Sequence, residues 1–198
     1  MDPTATIRRH IAGLFAVGLI LMLGGCSTPY LRGTEALREN RLDAAIVHLQ
    51  QAVRDHPRDA QAHTELGVAY YQKGAYAEAR DSLMLATAFD ARSLRPHLYL
   101  ALASIRLGDD HRAIEALREV AQLARQPWVR APVEQALAVI RDERPSPKMR
   151  TFLALSLEQL GSAETEVRRL RQELSAREAE LTRRRELWLG PFFIIRGR

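Results

Sequence analysis

A pattern of small and large apolar residues that recurs every 34 positions constrains the fold more than any other feature of the sequence. In residues 60–93, apolar residues at helical spacing end at Gly74, and a second such run follows. The pattern is present in the stretches before and after this one. Its matched positions are Ala45, Ala79 and Ala113; Leu49, Leu83 and Leu117; and Gly33, Gly67 and Ala101. The chain therefore repeats a unit of two antiparallel helices, whose small residues allow close helix approach.

This unit resembles the tetratricopeptide repeat, a helix-turn-helix of about 34 residues that stacks into a right-handed superhelix. The match is imperfect, because His63 and His97 stand where the family has a large residue early in the first helix. Their equivalent repeat positions favour a role in helix packing over metal binding. The resemblance implies an all-α helical solenoid with about three repeats over residues 34–127. Residues 128–142 are predicted to form a helix that caps the last apolar face.

Composition supports a helical protein without catalytic chemistry. Hydrophobic residues make up 46% of the 198 positions, which excludes global disorder, and no alternating run bounded by turn residues predicts a strand. The net charge of +5 comes from arginines interleaved with glutamates, which favours solvated helix faces over a nucleic-acid partner. The sequence has no motif of a hydrolase, a metalloprotease or a phosphate-binding loop. We therefore expect no catalytic residue, metal or cofactor, and not an enzyme.

The N-terminus has the features of an export signal. A basic pair precedes an apolar run at residues 11–23, which is too short to span a bilayer of about 30 Å. Residues 1–25 are therefore predicted to be a signal peptide. Cys26, the only cysteine of the chain, follows directly, in an arrangement that resembles a bacterial lipobox. The resemblance implies acylation of Cys26; a buried free cysteine after an ordinary cleavage site is the alternative.

The residue after Cys26 indicates to which membrane the lipoprotein would be sorted. Residue Ser27 stands where an aspartate would, in the lipoproteins that this stretch resembles, signal retention at the inner membrane. The resemblance thus implies an outer-membrane protein, anchored through lipid with its folded part on the periplasmic face. Residues 26–33 would form the lipidated cysteine and a short tether, which keeps the first repeat close to the lipid surface.

A concave surface is implied by the resemblance, because the first helices of stacked repeats line it and bind protein partners there. Leu102 and Ile105 can either contact a partner or pack against the next helix, since both are apolar. Lys and Asn, which the family uses to bind a terminal carboxylate, are replaced by Thr34, Val68 and Leu102. The candidate groove residues are Thr34, Leu37, Arg38, Thr64, Val68, Tyr71, Gln72, Leu98, Leu102, Ile105 and Arg106.

The last third of the sequence has a different pattern. Residues 143–148 contain two prolines and are predicted to be a linker to a long charged helix over residues 149–188. A lane of apolar residues at seven-residue spacing predicts a coiled-coil seam, with itself or with a partner, so that a homo-oligomer can form. A single exposed helix lying on the repeats is the alternative. The seam residues are Leu153, Leu160, Val167, Leu170, Leu174, Leu181 and Trp188.

Two features of this region leave alternatives open. Gly161 is costly in a helix interior and can mark a break in the long helix. Residues 189–198 form an apolar and basic tail, which can contact a membrane surface, dock on another protein or pack back onto the chain.

These features together predict a non-enzymatic, lipid-anchored periplasmic scaffold that holds a protein partner in an assembly of the bacterial envelope, such as a pilus, a secretion system or an outer-membrane assembly machine. The alternative is an accessory lipoprotein that regulates a membrane sensor kinase through its C-terminal coiled coil.

Overall fold

Eight α-helices and no strand are present in residues 28–143 and 145–189, the part of the chain that the computed structural model describes. The all-α prediction is confirmed. The helices are α1 (Pro29–Arg38), α2 (Leu42–Asp55), α3 (Ala60–Lys73), α4 (Tyr76–Phe89), α5 (Leu94–Leu107), α6 (Asp110–Leu123), α7 (Pro127–Glu143) and α8 (Pro147–Leu189).

Three units of two helices, α1/α2, α3/α4 and α5/α6, form the solenoid, and each helix packs against the next. Ala45, Ala79 and Ala113 are fully buried, as their spacing predicts. The glycines pack just as closely, since a Cβ added to Gly33 would lie 2.5 Å from Leu49 Cγ. The equivalent pair in the second unit is as close. These small residues therefore set the distance between the two helices of a unit.

Local signals explain where the helices begin and end. Gly74 and Gly108 end α3 and α5 in the left-handed conformation, with φ of +84° and +77°. His63 and His97 are buried, and each ring donates from Nε2 to a carbonyl six residues earlier, over 2.9 Å to Pro57 and 3.1 Å to Ala91. Both histidines therefore fasten a first helix to the loop before it, in agreement with a packing role.

The first unit begins earlier than its repeat pattern suggests. Helix α1 starts at Pro29, inside the stretch predicted to be a tether, because Thr28 caps it and a proline is well tolerated in the first turn. Its 10 residues compare with 14 in α3 and α5, so most of this first helix is present.

Helix α7 closes the end of the solenoid. It packs against α6 and buries Val129, Val133, Ala136 and Ile140, which are at helical spacing. Pro132 is the sixth residue of this helix, so the helix lacks the hydrogen bond that residue 132 would otherwise donate to the Trp128 carbonyl.

Helix α8 is continuous over 43 residues, about 64 Å at 1.5 Å per residue. Its first part packs against α5 and α7 and buries Leu153, Ala154, Leu157 and Leu160. The described side chains between residues 169 and 183 are all exposed. One helix therefore serves both as part of the solenoid core and as an arm in solvent. Across the described ranges, no helix combines the length and the apolar character that crossing a membrane requires.

Candidate functional site

The concave surface of the solenoid is formed by α1, α3 and α5, which pack side by side. The predicted groove residues lie on these helices but differ in exposure. Arg38 and Gln72 are exposed, and Thr34 and Leu37 are half-buried. Leu98 is completely buried, which contradicts its predicted contact with a partner, and the complete burial of Leu102 and Ile105 agrees with the alternative that they pack against a neighbouring helix. The physical reason is that α8 lies on α5 and, with the neighbouring helices, keeps these side chains from water. Thr64, Val68 and Tyr71 are also buried.

A cluster of polar side chains fastens α8 to the second and third units. The Tyr71 hydroxyl donates to Glu158 Oε1, and Arg106 Nη2 donates to the same oxygen over 3.3 Å. Arg106 Nε also lies 3.5 Å from the Tyr71 hydroxyl. Burial, followed by the hydrogen bond to Glu158, raises the pKa of Tyr71. Tyr71 and Arg106, predicted to contact a partner, therefore bind a helix of their own chain.

An ion pair holds the first turn of α8 against α6. Arg150 contacts both carboxylate oxygens of Asp110, with Nη2 at 2.9 Å from Oδ2. The hydrogen bond from Arg150 lowers the pKa of Asp110 below its ordinary value. This bidentate ion pair holds the start of α8 against α6 and thereby orients α8 relative to the solenoid.

Gly161 of α8 packs against α5. A Cβ at this position would lie 3.4 Å from Leu98 Cδ2 and 3.4 Å from Tyr99 Cε2. The helix continues through the glycine, so it marks close packing and does not break the helix.

An open cleft of about 600 Å³ remains on the concave surface beside α8. Glu65 of α3 and Arg95 of α5 form an ion pair in it, with both side chains mostly buried. Five of the predicted groove residues line this cleft: Thr34, Leu37, Arg38, Val68 and Gln72. The lining residues are Tyr30, Thr34, Leu37, Arg38, Glu65, Val68, Gln72, Arg95, Tyr99 and Glu166.

Thr64 lies outside this set and lines a smaller neighbouring depression, while its hydroxyl donates to the Ala60 carbonyl over 2.7 Å. Sequence reasoning misses Tyr30, because residues 26–33 are predicted to form a tether. It also misses Glu166, because no sequence signal shows where α8 lies on the repeats. Arg95 and Glu65 carry opposite charges on the first helices of adjacent units, a signal that could have found them.

The predicted seam divides along α8. Leu153 and Leu160 are buried against the solenoid, and Val167 is half-buried. Leu170, Leu174 and Leu181 are 48%, 59% and 66% exposed. The lane turns by about 20° per seven residues on a straight helix, so its first and last members point in different directions. The Trp188 side chain, Cys26 and residues 190–198 lie outside what the structure describes.

Metal-binding geometry is absent from the described residues, where no three His, Cys, Asp or Glu side chains are grouped to hold an ion. Comparisons with known proteins address the fold and the family. The family model described as tetratricopeptide repeat matches residues 30–96. No curated protein matches the chain.

Several solved structures are similar at low sequence identity. The type III secretion translocator chaperone SycD of Yersinia enterocolitica is 20% identical, with a TM-score of 0.54, over 63% of this chain and 92% of its own. The tetratricopeptide-repeat domain of Arabidopsis OM64 is 16% identical, with a TM-score of 0.52, over 55% and 90%.

The O-GlcNAc transferase of Thermobaculum terrenum is 24% identical, with a TM-score of 0.51, but only 25% of that chain is covered. These likenesses concern the fold. With the family match over residues 30–96 and the paired helices of the structure, they show that these repeats have the tetratricopeptide-repeat fold.

Proposed function

We propose that the protein is a non-enzymatic, lipid-anchored periplasmic scaffold that binds a segment of a protein partner in the open cleft. The observation that supports this proposal is that α8 covers one part of the concave surface and leaves another part exposed. Helix α8 covers α5, whereas Arg38 of α1 and Gln72 of α3 remain exposed beside it. A partner segment therefore has to enter over the first and second units.

The chemistry of the cleft favours a peptide with both apolar and acidic side chains. Half-buried Leu37 supplies an apolar surface, with Val68 buried at the floor of the cleft, and Tyr30 and Tyr99 supply aromatic edges. Arg38 is exposed at one side of the cleft, where a carboxylate of the partner would find a cation. Aromatic and arginine side chains are the groups that most often dominate binding energy at protein interfaces.

Charge reversal tests the cleft. Arg38→Glu leaves the buried floor unchanged, and Arg118→Glu on α6 is a matched control, because it reverses an exposed arginine outside the cleft. Partners captured from detergent-solubilised envelopes should fall at least about tenfold with Arg38→Glu, the cost of about 1.4 kcal/mol, and stay constant with Arg118→Glu. Equal capture by both variants would remove the cleft from the binding surface.

The anchor rests on Cys26, which lies outside the described residues. Helix α1 begins at Pro29, so about three residues, or roughly 10 Å of chain, would separate the lipid from the first helix. The cleft would then lie close to the membrane, where a partner of an envelope assembly is within reach. Intact-mass measurement of the mature protein tests the anchor, with Cys26→Ser as the control. An unmodified Cys26 in the mature protein contradicts it.

The alternative function, regulation of a membrane sensor kinase, is favoured by the exposed leucines of the distal part of α8. A chain that ends at Arg168 separates the two functions, because it lacks the arm and keeps every contact of Leu153, Glu158 and Gly161 with the solenoid. Partner capture that survives this truncation and still depends on Arg38 supports the scaffold. Capture that depends only on the removed arm supports the alternative.

A further inference from the structure

A straight line of exposed apolar side chains runs along the outer side of α8, away from the solenoid. Phe152 is 65% exposed although it lies in the part of α8 that packs on α5. Ala163 is also exposed, and the three exposed leucines of the distal part complete the set. We call this set the outer stripe; its residues are Phe152, Ala163, Leu170, Leu174 and Leu181.

Helix geometry explains why these residues share one side. Phe152, Ala163 and Leu174 are 11 residues apart, as are Leu170 and Leu181. Eleven residues make about three turns, so each step returns to within about 20° of the same direction. The outer stripe is therefore straighter than the seven-residue lane, whose first residues turn into the core. It extends about 44 Å at 1.5 Å per residue.

We propose that the outer stripe binds the same stripe of a second copy of this chain, with the two α8 helices antiparallel. The argument is its self-complementarity. When the helix is reversed about the point between Glu166 and Val167, Phe152 lies opposite Leu181, and Ala163 lies opposite Leu170. Leu174 lies opposite Gln159, a polar residue outside the stripe. A twofold dimer requires one surface that fits itself in this way.

Side-chain size selects the antiparallel arrangement over the parallel one. In a parallel pair Ala163 would face its own copy, and the bulky residues on both sides would hold the two helices apart and leave a void there. In the antiparallel pair each Ala163 receives Leu170 of the second copy, so that a small residue faces a large one. The same contact forms twice, once on each side of the twofold axis.

The surface area that the outer stripe buries limits the affinity of the dimer. A contact about 44 Å long and about 10 Å wide on each copy buries about 900 Å² in total, below the range of stable interfaces. The dimer therefore dissociates on dilution. The twofold axis lies beside Glu166, which lines the cleft, so the second copy would lie next to the cleft.

Sedimentation of the chain from Ser27 onward, which contains every described residue, tests the pairing. The mass should rise from one copy to two over a hundredfold increase in concentration. Leu170→Asp should weaken the dimer at least about tenfold, because it places a charge in the contact with Ala163. Val47→Asp is a matched control, since Val47 is a 60% exposed apolar residue on α2, and it should leave the dimer unchanged. A monomer at all concentrations, or a dimer insensitive to Leu170→Asp, overturns the proposal.

Cysteine cross-linking tests the direction of the pair. Without Cys26 the chain has no cysteine, so each introduced thiol is the only one. Val167→Cys lies beside the twofold axis and should form a disulfide dimer on oxidation. Leu181→Cys lies far from its own copy in the antiparallel pair and should stay reduced. Cross-linking of both variants to the same extent indicates a parallel pair and overturns the antiparallel one; cross-linking of neither removes the interface.

Discussion

The proximal and distal parts of α8 belong to one helix with one apolar lane, yet they differ in almost every contact. In the proximal part, up to Gly161, Leu153 and Leu157 are buried, and Arg150 and Glu158 bind residues of the solenoid. In the distal part the described side chains of residues 172–183 are exposed. The spacing of residues along a helix therefore determines which side chains share a face. The helices packed against that face determine which of those side chains are buried.

The first prediction concerns Leu157 and Leu174, one buried in the proximal part and one exposed in the distal part. Leu157→Ala should lower the free energy of unfolding by about 2–5 kcal/mol, because it leaves a cavity between α8 and the solenoid. Leu174→Ala should change it by less than about 0.5 kcal/mol in the monomer. Urea unfolding of dilute protein measures both. Equal effects would contradict the division of α8 into a core part and an arm.

The second prediction compares that interface with the centre of a repeat. Ala79→Leu should cost about 1–3 kcal/mol, because Ala79 is fully buried and the added atoms overpack the contact between α3 and α4. Ala88→Leu on the same helix is the control, since Ala88 is exposed. Thermal unfolding followed by circular dichroism compares the two. An unchanged melting temperature for Ala79→Leu would remove the alanine from the core and with it the register of the repeats.

The repeats could be predicted from the sequence because their signals are local and periodic. The contact between two helices that follow each other in the chain involves Gly67, Ala79 and Leu83. Because this contact recurs in each unit, the 34-residue spacing is enough to identify these residues. The all-α class and the two helix-ending glycines follow for the same reason.

The position of α8 on the concave surface could not be predicted in this way. Tyr71 and Glu158 are 87 residues apart, and no sequence pattern around either residue indicates that they form a contact. As a result, the sequence predicts Leu98 on an open groove and does not place Tyr30 in the site. The sequence does not reveal the outer stripe either, because the predicted seam and the outer stripe share Leu170, Leu174 and Leu181. Only the burial of the other residues distinguishes the two sets.

The third prediction concerns the ion pair at the start of α8. Because Arg150 lowers the pKa of Asp110, the pair stabilises the folded state fully at pH values above the ordinary carboxyl pKa of 3.8. The stability is lost as the pH falls below that value and through the lowered pKa of the folded state. Arg150→Gln should cost up to about 1 kcal/mol at pH 7, since both side chains are partly exposed. The variant should lose less stability than the original chain between pH 5 and pH 3, measured by urea unfolding. A constant difference across that range would contradict the link between Asp110 and α8.

The last prediction exchanges glycine and alanine between the two parts of α8. Gly161→Ala should stabilise the protein by up to about 1 kcal/mol, because alanine favours a helix and its Cβ meets α5 at ordinary contact distance. Ala179→Gly costs the helix a similar amount locally, but Ala179 is exposed in the arm, where α8 can unwind without opening the solenoid. The melting temperature of dilute protein should therefore rise slightly for Gly161→Ala and stay constant for Ala179→Gly, while the helical signal at 222 nm decreases only for Ala179→Gly. If Ala179→Gly lowers the melting temperature, the arm is coupled to the solenoid and the two parts of α8 unfold as one unit.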